Sequence, residues 1–411
     1  MRFLIFLAIL LSFPAFSLLF AVGSWWVLRG MEQVPRWARL LPAGVAVVLT
    51  GAFGWMVAAR MMDVAAGLPG VVVAAVYLWH LFVVPLCLLV FGVVWVVKKM
   101  KGVSRERVIK GEASGAEEVE ASGPLLTRRQ ALQLGLASFP AVMIVSATAA
   151  SMPQLSRFRI RRIEVPLADL PAGLDGVRIA HLSDSHVGVF TEGRVLEEIA
   201  RRTNELDPDL VVVTGDLINN SVEDLPAAME MLRGIERQDR LFLCEGNHDL
   251  FQGHSAFRQP LLDAGFRLLL NEGARVEVRG VPVQLTGICW GEDGARRGAM
   301  LGEHTAAARE AADPDAFRIL LAHHPEAFDY AQDVYPLTLA GHTHGGQIML
   351  TRELGPGPLM WKYWSGLYRV ESGAALVVSN GVGNWFPLRV NAPAEIVLVT
   401  LRRGRLERRG A

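Results

Sequence analysis

The most restrictive feature of this chain is a block of three uncharged apolar stretches within its first hundred residues. They run from Leu4 to Leu28, from Leu40 to Ala59 and from Val71 to Val97. Each reaches or exceeds the roughly 20 residues that a helix needs to cross a bilayer, and soluble core helices are seldom so long without a charge. Residues 1–97 therefore read as three transmembrane helices. Trp25, Trp26 and Trp95 lie near span ends, where amphipathic rings favour the interface. His80 lies inside the third span beside Trp79 and is read as a packing or interfacial residue. The mean hydropathy of +0.30 is high for a soluble protein. The excess is concentrated in the first 150 residues and does not describe the rest of the chain.

The next segment, 98–130, has a linker composition: KKMKGVSRERVIK is followed by the acidic GEASGAEEVEASG. It carries Lys98, Lys99, Lys101, Arg105, Arg107, Lys110, Arg128 and Arg129, against three arginines in the first loop and one in the second. Positive loops stay cytoplasmic, so the linker is expected inside and the N-terminus outside. Residues 131–152 form a weaker apolar stretch. Arg128-Arg129 ahead of it resembles a twin-arginine signal, and Ala147-Thr148-Ala149 resembles a signal-peptidase site. As a fourth transmembrane helix or as an internal signal, this stretch is expected to carry the remaining domain to the outer face of the cytoplasmic membrane; as a short amphipathic connector, it would leave that domain in the cytoplasm. The arginines of SRFRIRRIEV argue against export. They alternate roughly with Phe158, Ile160 and Ile163 as on a half-solvated strand, however, and long translocated domains largely escape the charge rule.

From about Pro166 the pattern becomes short apolar runs separated by turns and helical stretches such as 195–206 and 225–235. VRIAHLS (177–183) ends on Asp184-Ser185-His186, DLVVVTG (209–215) on Asp216, and RLFLCEG (240–246) on Asn247-His248-Asp249. FRILLA (317–322) ends on His323-His324, and PLTLAG ends at Gly341 before His342 and His344. Five buried-type strands thus each end in side chains able to bind a metal, and the functional crevice of open α/β sheets lies beyond such strand ends. On an extended backbone, residues i and i+2 face the same side, so His342 and His344 are expected to face one spot, as are Asp184 and His186. Asp249 could orient His248 or cap a helix starting at Leu250 and is read as the cap, and His181 is read as a core histidine. The balance of 41 basic and 41 acidic residues gives no global sign of nucleic-acid binding, and three cysteines form no disulfide framework and no CxxC pair.

DSH, GDLIN, GNHD, AHHP and GHTHGGQ, in that order, resemble the calcineurin-like metallophosphoesterase superfamily, and in particular its membrane-anchored or exported bacterial branch. The resemblance covers about 177–401. It implies a four-layer α/β fold over 153–411, with two mixed sheets flanked by helices, and two metals at the strand ends. Carried onto this chain, it makes Asp184, His186 and His344 ligands of the first metal, and Asn247, His323 and His342 ligands of the second. Asp216 would bridge them, and His248 would sit beside the phosphate without binding a metal, where as imidazolium it could protonate the departing oxygen as a general acid or stabilise charge on the phosphoryl group. Imidazoles, carboxylates and one amide suit manganese, iron or zinc. The implied chemistry is attack by a metal-bound hydroxide on a phosphodiester, a pyrophosphate or a phosphomonoester.

Departures from the family narrow the substrate. The phosphoprotein phosphatases continue their second motif as GDxxDRG, whereas this chain reads GDLINN, with Asn219 and no arginine. Asn219, His324, Asn380 and Trp385 are expected on the substrate side. The segment 379–393, SNGVGNWFPLRVNAP, resembles the closing loop of the exported branch. The expected substrate is a phosphorylated small molecule, a lipid or an envelope precursor. Two further readings stand beside it: a nucleotide or cyclic-nucleotide phosphodiesterase, and a membrane sensor that binds metal without turnover.

Overall fold

A computed structural model describes residues 2–29, 34–62, 67–89, 92–93, 96, 128–290 and 297–404. The expected linker falls almost wholly outside them, as do Trp95 and part of the third expected span. The chain divides into two compact units, Met1–Met152 and Pro153–Ala411.

In the first unit, helix Arg2–Leu28 is followed by helix Arg36–Met61 and by a helix from Gly70. Among the described residues, Arg36–Ala59 and Gly70–Leu89 are long and apolar enough to cross a membrane. Trp79 Nε1–H donates to Ser17 Oγ at 2.8 Å. His80 lies in a π-helical turn, Trp79–Val83, with Nδ1 2.9 Å from the Val76 carbonyl and its ring against Phe53. The apolar stretch at 131–152 belongs to one longer helix, Arg128–Leu155.

The second unit holds twelve described strands in two six-stranded sheets. The first has the order β1 (Arg159–Leu167), β12 (Glu395–Arg403), β2 (Arg178–Leu182), β3 (Leu210–Thr214), β4 (Leu241–Cys244), β5 (Arg267–Leu268). The second has the order β10 (Gly366–Arg369), β11 (Ala375–Val378), β9 (Leu337–Ala340), β8 (Phe317–Leu321), β7 (Val281–Gly287), β6 (Glu272–Val278). β2, β3 and β4 run parallel, as do β7, β8, β9 and β11. Antiparallel pairs with β12 in one sheet and with β6 and β10 in the other make both sheets mixed.

Side-chain alternation along the strands builds the layers. In β3, Val212 joins Ile179, Phe242, Ile319, Leu337 and Val399 in a core between the two sheets. Its neighbours Val211 and Val213 point the other way, onto Ile199, Leu232 and Phe257 of the outer helices. On the far side, Leu320 packs on Leu301 and Ala308 of helix Arg297–Glu310. The result is helices, sheet, sheet, helices. β3 is buried on both faces, which explains its unbroken LVVVT run. Helix Arg194–Glu205 buries Leu196, Ile199 and Ala200 and keeps the Arg201 pairs with Glu198 and Glu205 outside. β1 forms the edge of the first sheet, with alternation clearest over Ile163, Val165 and Leu167. The parallel strands of both sheets leave their C-terminal ends at one crevice.

Candidate metal centre

All five strand-end motifs meet in that crevice. Asp184 follows β2, Asp216 follows β3, Asn247 follows β4, His323 follows β8 and His342 follows β9, each within three residues of the strand end. Potential ligand atoms of Asp184, His186 and His344 lie within 4.8 Å of one another, and so do those of Asp216, His323 and His342. A third such group, His186, Asp216 and His248, overlaps both. Asp216 Oδ2 lies 3.1 Å from His323 Nε2 and 3.6 Å from His186 Nε2, so one carboxylate touches both sides of the site.

The backbone at these positions departs from the extended conformation expected from the i, i+2 spacing. φ is 51° at Asp184, 43° at His186, 51° at Asp216, 73° at His342 and 49° at His344. Left-handed conformations cost non-glycine residues about 1–3 kcal/mol each and persist only where their surroundings hold them. They turn His342 and His344 to different partners. His344 Nε2 lies 3.0 Å from His186 Nε2 and 3.2 Å from Asp184 Oδ1, whereas His342 Nδ1 lies 3.2 Å from His323 Nε2. The pleat argument for one shared spot therefore fails for this pair, because the strand ends at Ala340, before either histidine.

Neighbouring groups lock each ligand. Asp184 accepts from Ser183 Oγ at 2.5 Å and from the His342 N–H at 3.1 Å. Asp216 accepts from the His248 N–H at 2.8 Å. His323 Nδ1 faces the Thr214 carbonyl at 2.7 Å; a carbonyl only accepts, so the proton sits on Nδ1 and Nε2 is directed at Asp216. Nδ1 of His248 meets the Asn219 carbonyl at 2.6 Å, which leaves its Nε2 available for chemistry.

The electrostatics of this set suit cations. Burial pushes Asp184 up to about 6, and Asp216 adds to that, while His323 opposes it. Burial opposes ionisation of Asp216 too, but His323 and His248 hold its carboxyl well below the usual range. Burial pulls on His323, yet the Asp216 carboxylate outweighs it and leaves the imidazole raised to about 9. Burial holds His186 and His344 well below their ordinary value, so both present neutral nitrogens. Two buried carboxylates facing lone pairs are satisfied by positive charge between them. Asn247 Oδ1 and His186 Nδ1 are buried without a hydrogen-bond partner. Ligand atoms bound at about 2.1 Å with angles of 90–109° stand about 3.0–3.4 Å apart, and several distances given above fall in that range. The residues fit divalent ions.

The remaining expected residues surround the centre in different ways. The His324 ring lies 5.1 Å from that of His342, tilted by 35°, and its Nδ1 accepts from the Glu326 N–H. Trp385 lies 6.2 Å from the His344 ring. Asn219 contributes its carbonyl to His248, and its side-chain Oδ1 is buried without a partner. Asn380 accepts from Ser365 Oγ at 2.7 Å and lines a cavity beside the centre. Asp249 does not cap a helix. Its carboxylate accepts the N–H groups of Gly246 and Ile218 and so ties together the loops that carry Asn247 and Asp216. His181 is buried in β2, 2.8 Å from Thr214 Oγ1.

Sequence reasoning missed three residues. Trp290 packs 4.9 Å from His342 and 5.3 Å from His323, and Trp361 lies 6.4 Å from His342. Arg389 is fully enclosed. It donates Nε–H to Asn384 Oδ1, Nη1–H to the Asn380 carbonyl and Nη2–H to the Gly383 carbonyl, and Nη2 lies 2.9 Å from His344 Nδ1. The signal for Arg389 was a lone cation inside the apolar segment NWFPLRVNAP.

The second unit is similar to known proteins over much of its length. A family profile described as calcineurin-like phosphoesterase matches residues 177–346. A Danio rerio protein described as a transmembrane protein with metallophosphoesterase domain is 32% identical over 295 residues, covering 70% of this chain and 65% of the relative. The chain thus spans just under two thirds of that relative's length. An uncharacterized metallophosphoesterase of Aquifex aeolicus is 30% identical over 247 residues, covering 59% of this chain and 92% of the relative. One of Bacillus subtilis is 31% identical over 250 residues, covering 57% and 82%.

Proposed function

This chain belongs to the calcineurin-like phosphoesterase family, and from that premise we propose that it is a membrane-tethered phosphohydrolase working with two divalent metals. The observation that carries the reading is Asp216, whose Oδ2 faces His323 on one side and His186 on the other. Asp184, His186 and His344 would hold one ion, Asn247, His323 and His342 the other, and Asp216 both. When bound, two such ions clamp phosphoryl oxygens, neutralise their charge and lower the pKa of a water towards about 7. Manganese, iron and zinc all suit this donor set.

The protein's own groups do the rest. Ser183 and the His342 N–H orient Asp184, and the His248 N–H orients Asp216, so neither carboxylate must reorganise when substrate arrives. His248, with Nδ1–H anchored on the Asn219 carbonyl, presents Nε2 to the site. In its protonated form it would hand a proton to the departing ester oxygen, a step worth about 10²–10⁴-fold. Trp290, Trp361 and Trp385 wall the histidines and would exclude water around the leaving group.

Residues 1–97 would form three spans, and the helix Arg128–Leu155 a fourth that carries the catalytic unit to the outer face. A lipid-linked or envelope phosphate is the substrate class that this location favours. The catalytic test is hydrolysis of a chromogenic phosphodiester by the full-length chain, titrated with manganese, iron or zinc. Metal-dependent turnover that disappears in Asp216→Asn, with the fold retained, is the expected result. A folded, metal-loaded protein without turnover on a panel of lipid and nucleotide phosphates refutes the reading. An alkaline phosphatase reporter fused after Ala411 tests the orientation, and is expected to be active.

A further inference from the structure

Among the described residues of the catalytic unit, seven large hydrophobic side chains are well exposed, and four of them fall within the eleven residues LTRELGPGPLM. They are Leu350 at 73%, Leu354 at 57%, Leu359 at 84% and Met360 at 66% exposure. The loop is not frayed. Asn391 Nδ2 donates to the Met349 and Leu350 carbonyls, and the N–H groups of Leu350 and Thr351 both donate to the Leu354 carbonyl. An anchored loop that holds four apolar side chains in water is built for an apolar partner.

Beside the loop lies a cavity of about 850 Å³, lined by Arg159, Arg161 and Arg352 and, towards the metal centre, by Gly345 and Asn380. No acidic residue lines it; Glu353, next to Arg352, is not among its walls. Arg159 and Arg161 share the buried carboxylate of Glu395, at 2.7 and 3.2 Å, so the three guanidiniums outnumber the one buried acid that serves them. A basic cavity with an apolar rim is complementary to an anionic headgroup at the edge of hydrocarbon.

Chain continuity indicates which hydrocarbon. Arg159 follows Leu155, the last residue of the long apolar helix, by four positions, a reach of at most about 14 Å. Gln154, in the last turn of that helix, accepts the Arg389 N–H at 3.0 Å. Resting on the membrane tether proposed above, we infer that the 350–360 loop seats in the bilayer interface and that the three-arginine cavity takes the phosphate-bearing headgroup of an anionic membrane lipid.

The test uses the full-length chain in nanodiscs of phosphatidylcholine, with and without phosphatidylglycerol, and follows hydrogen exchange of the 349–361 backbone. One arginine near an anionic surface contributes about fivefold, so exchange in wild type is expected to slow at least about that much in anionic discs. Arg352→Glu, at an exposed position, is expected to abolish the difference, and Leu359→Ser with Met360→Ser to speed exchange in both disc types. Equal exchange in the two disc types with the chain fully incorporated overturns the inference and leaves the tether standing. Slowing that persists in Arg352→Glu also overturns it. A chain that does not stay in the discs overturns the tether, and this inference with it.

Discussion

Replacing Gly341 by alanine tests the claim that close packing, rather than ligand identity alone, holds the metal centre. Gly341 lies between β9 and His342. A methyl there would overlap Ser183 Oγ and Asp184 Oδ2, each roughly 1 Å or more inside the 3.4 Å at which ordinary contact begins. Ser183 cannot move freely, because its Oγ donates to Asp184 and also lies 3.1 Å from the Thr214 carbonyl. Overpacking costs about 1–3 kcal/mol, and two strained or lost buried hydrogen bonds cost about 0.5–1.5 kcal/mol each. The expected loss is therefore about 2–6 kcal/mol of stability. Displacing Asp184 is expected also to weaken metal binding by about 10–100-fold, the usual scale for disturbing the support of a ligand. Denaturant unfolding of the metal-free protein and a metal titration by calorimetry read the two effects separately. Ser183→Ala in the same chain removes one of the colliding atoms and should recover part of the loss. Gly302→Ala, whose methyl would meet Tyr330 only at ordinary contact distance, is the control. Wild-type stability and wild-type metal affinity in Gly341→Ala would mean that close packing at this position does not hold the centre.

Three further outcomes are expected. His248→Gln should lower kcat by about 10²–10⁴-fold with metal content unchanged from wild type, and unchanged turnover removes His248 from the chemistry. Arg389→Lys keeps the charge but loses the planar fork that meets His344 Nδ1, Asn384 and two carbonyls; metal affinity should fall about 10–100-fold, and unchanged affinity makes Arg389 a structural residue only. Burial pulls His181 down to about 3 from an unfolded value near 6.5, so below pH 6.5 the unfolded chain binds the proton first and stability falls with pH. At pH 5 this costs about 2 kcal/mol, so the stability advantage of wild type over His181→Gln should shrink by up to that amount between pH 7 and pH 5 in denaturant unfolding. A gap that is constant across that range contradicts the burial argument.

Much of the centre is legible in the sequence because its ligands sit where strands end. A strand buried on both faces must be apolar along its length, so the abrupt change from LVVVT to GD, or from PLTLA to GHTH, marks both the end of the element and the start of the crevice. The amphipathic spacing of helix Arg194–Glu205 was visible for the same reason. Where sequence reasoning failed, it assumed a backbone. His342 and His344 are two residues apart, but their left-handed φ values send them to different partners, and alternation carries no information once the strand has stopped. Asp249 reads locally as a cap, yet its carboxylate serves the N–H of Ile218, thirty-one positions away.

By itself, the sequence determined the composition of the two units, the strand periodicity, the order of the motifs and the chemistry of the donor set, because these depend only on residue type and near-neighbour spacing. Tertiary structure alone decided that Asp216 faces both histidine groups, that Arg389 packs behind His344, and that three arginines and four exposed apolar side chains share one edge of the catalytic unit. Those facts depend on which sheet edges and loops meet. Contacts across two packed sheets join residues more than a hundred positions apart, and no local pattern along the chain records that distance.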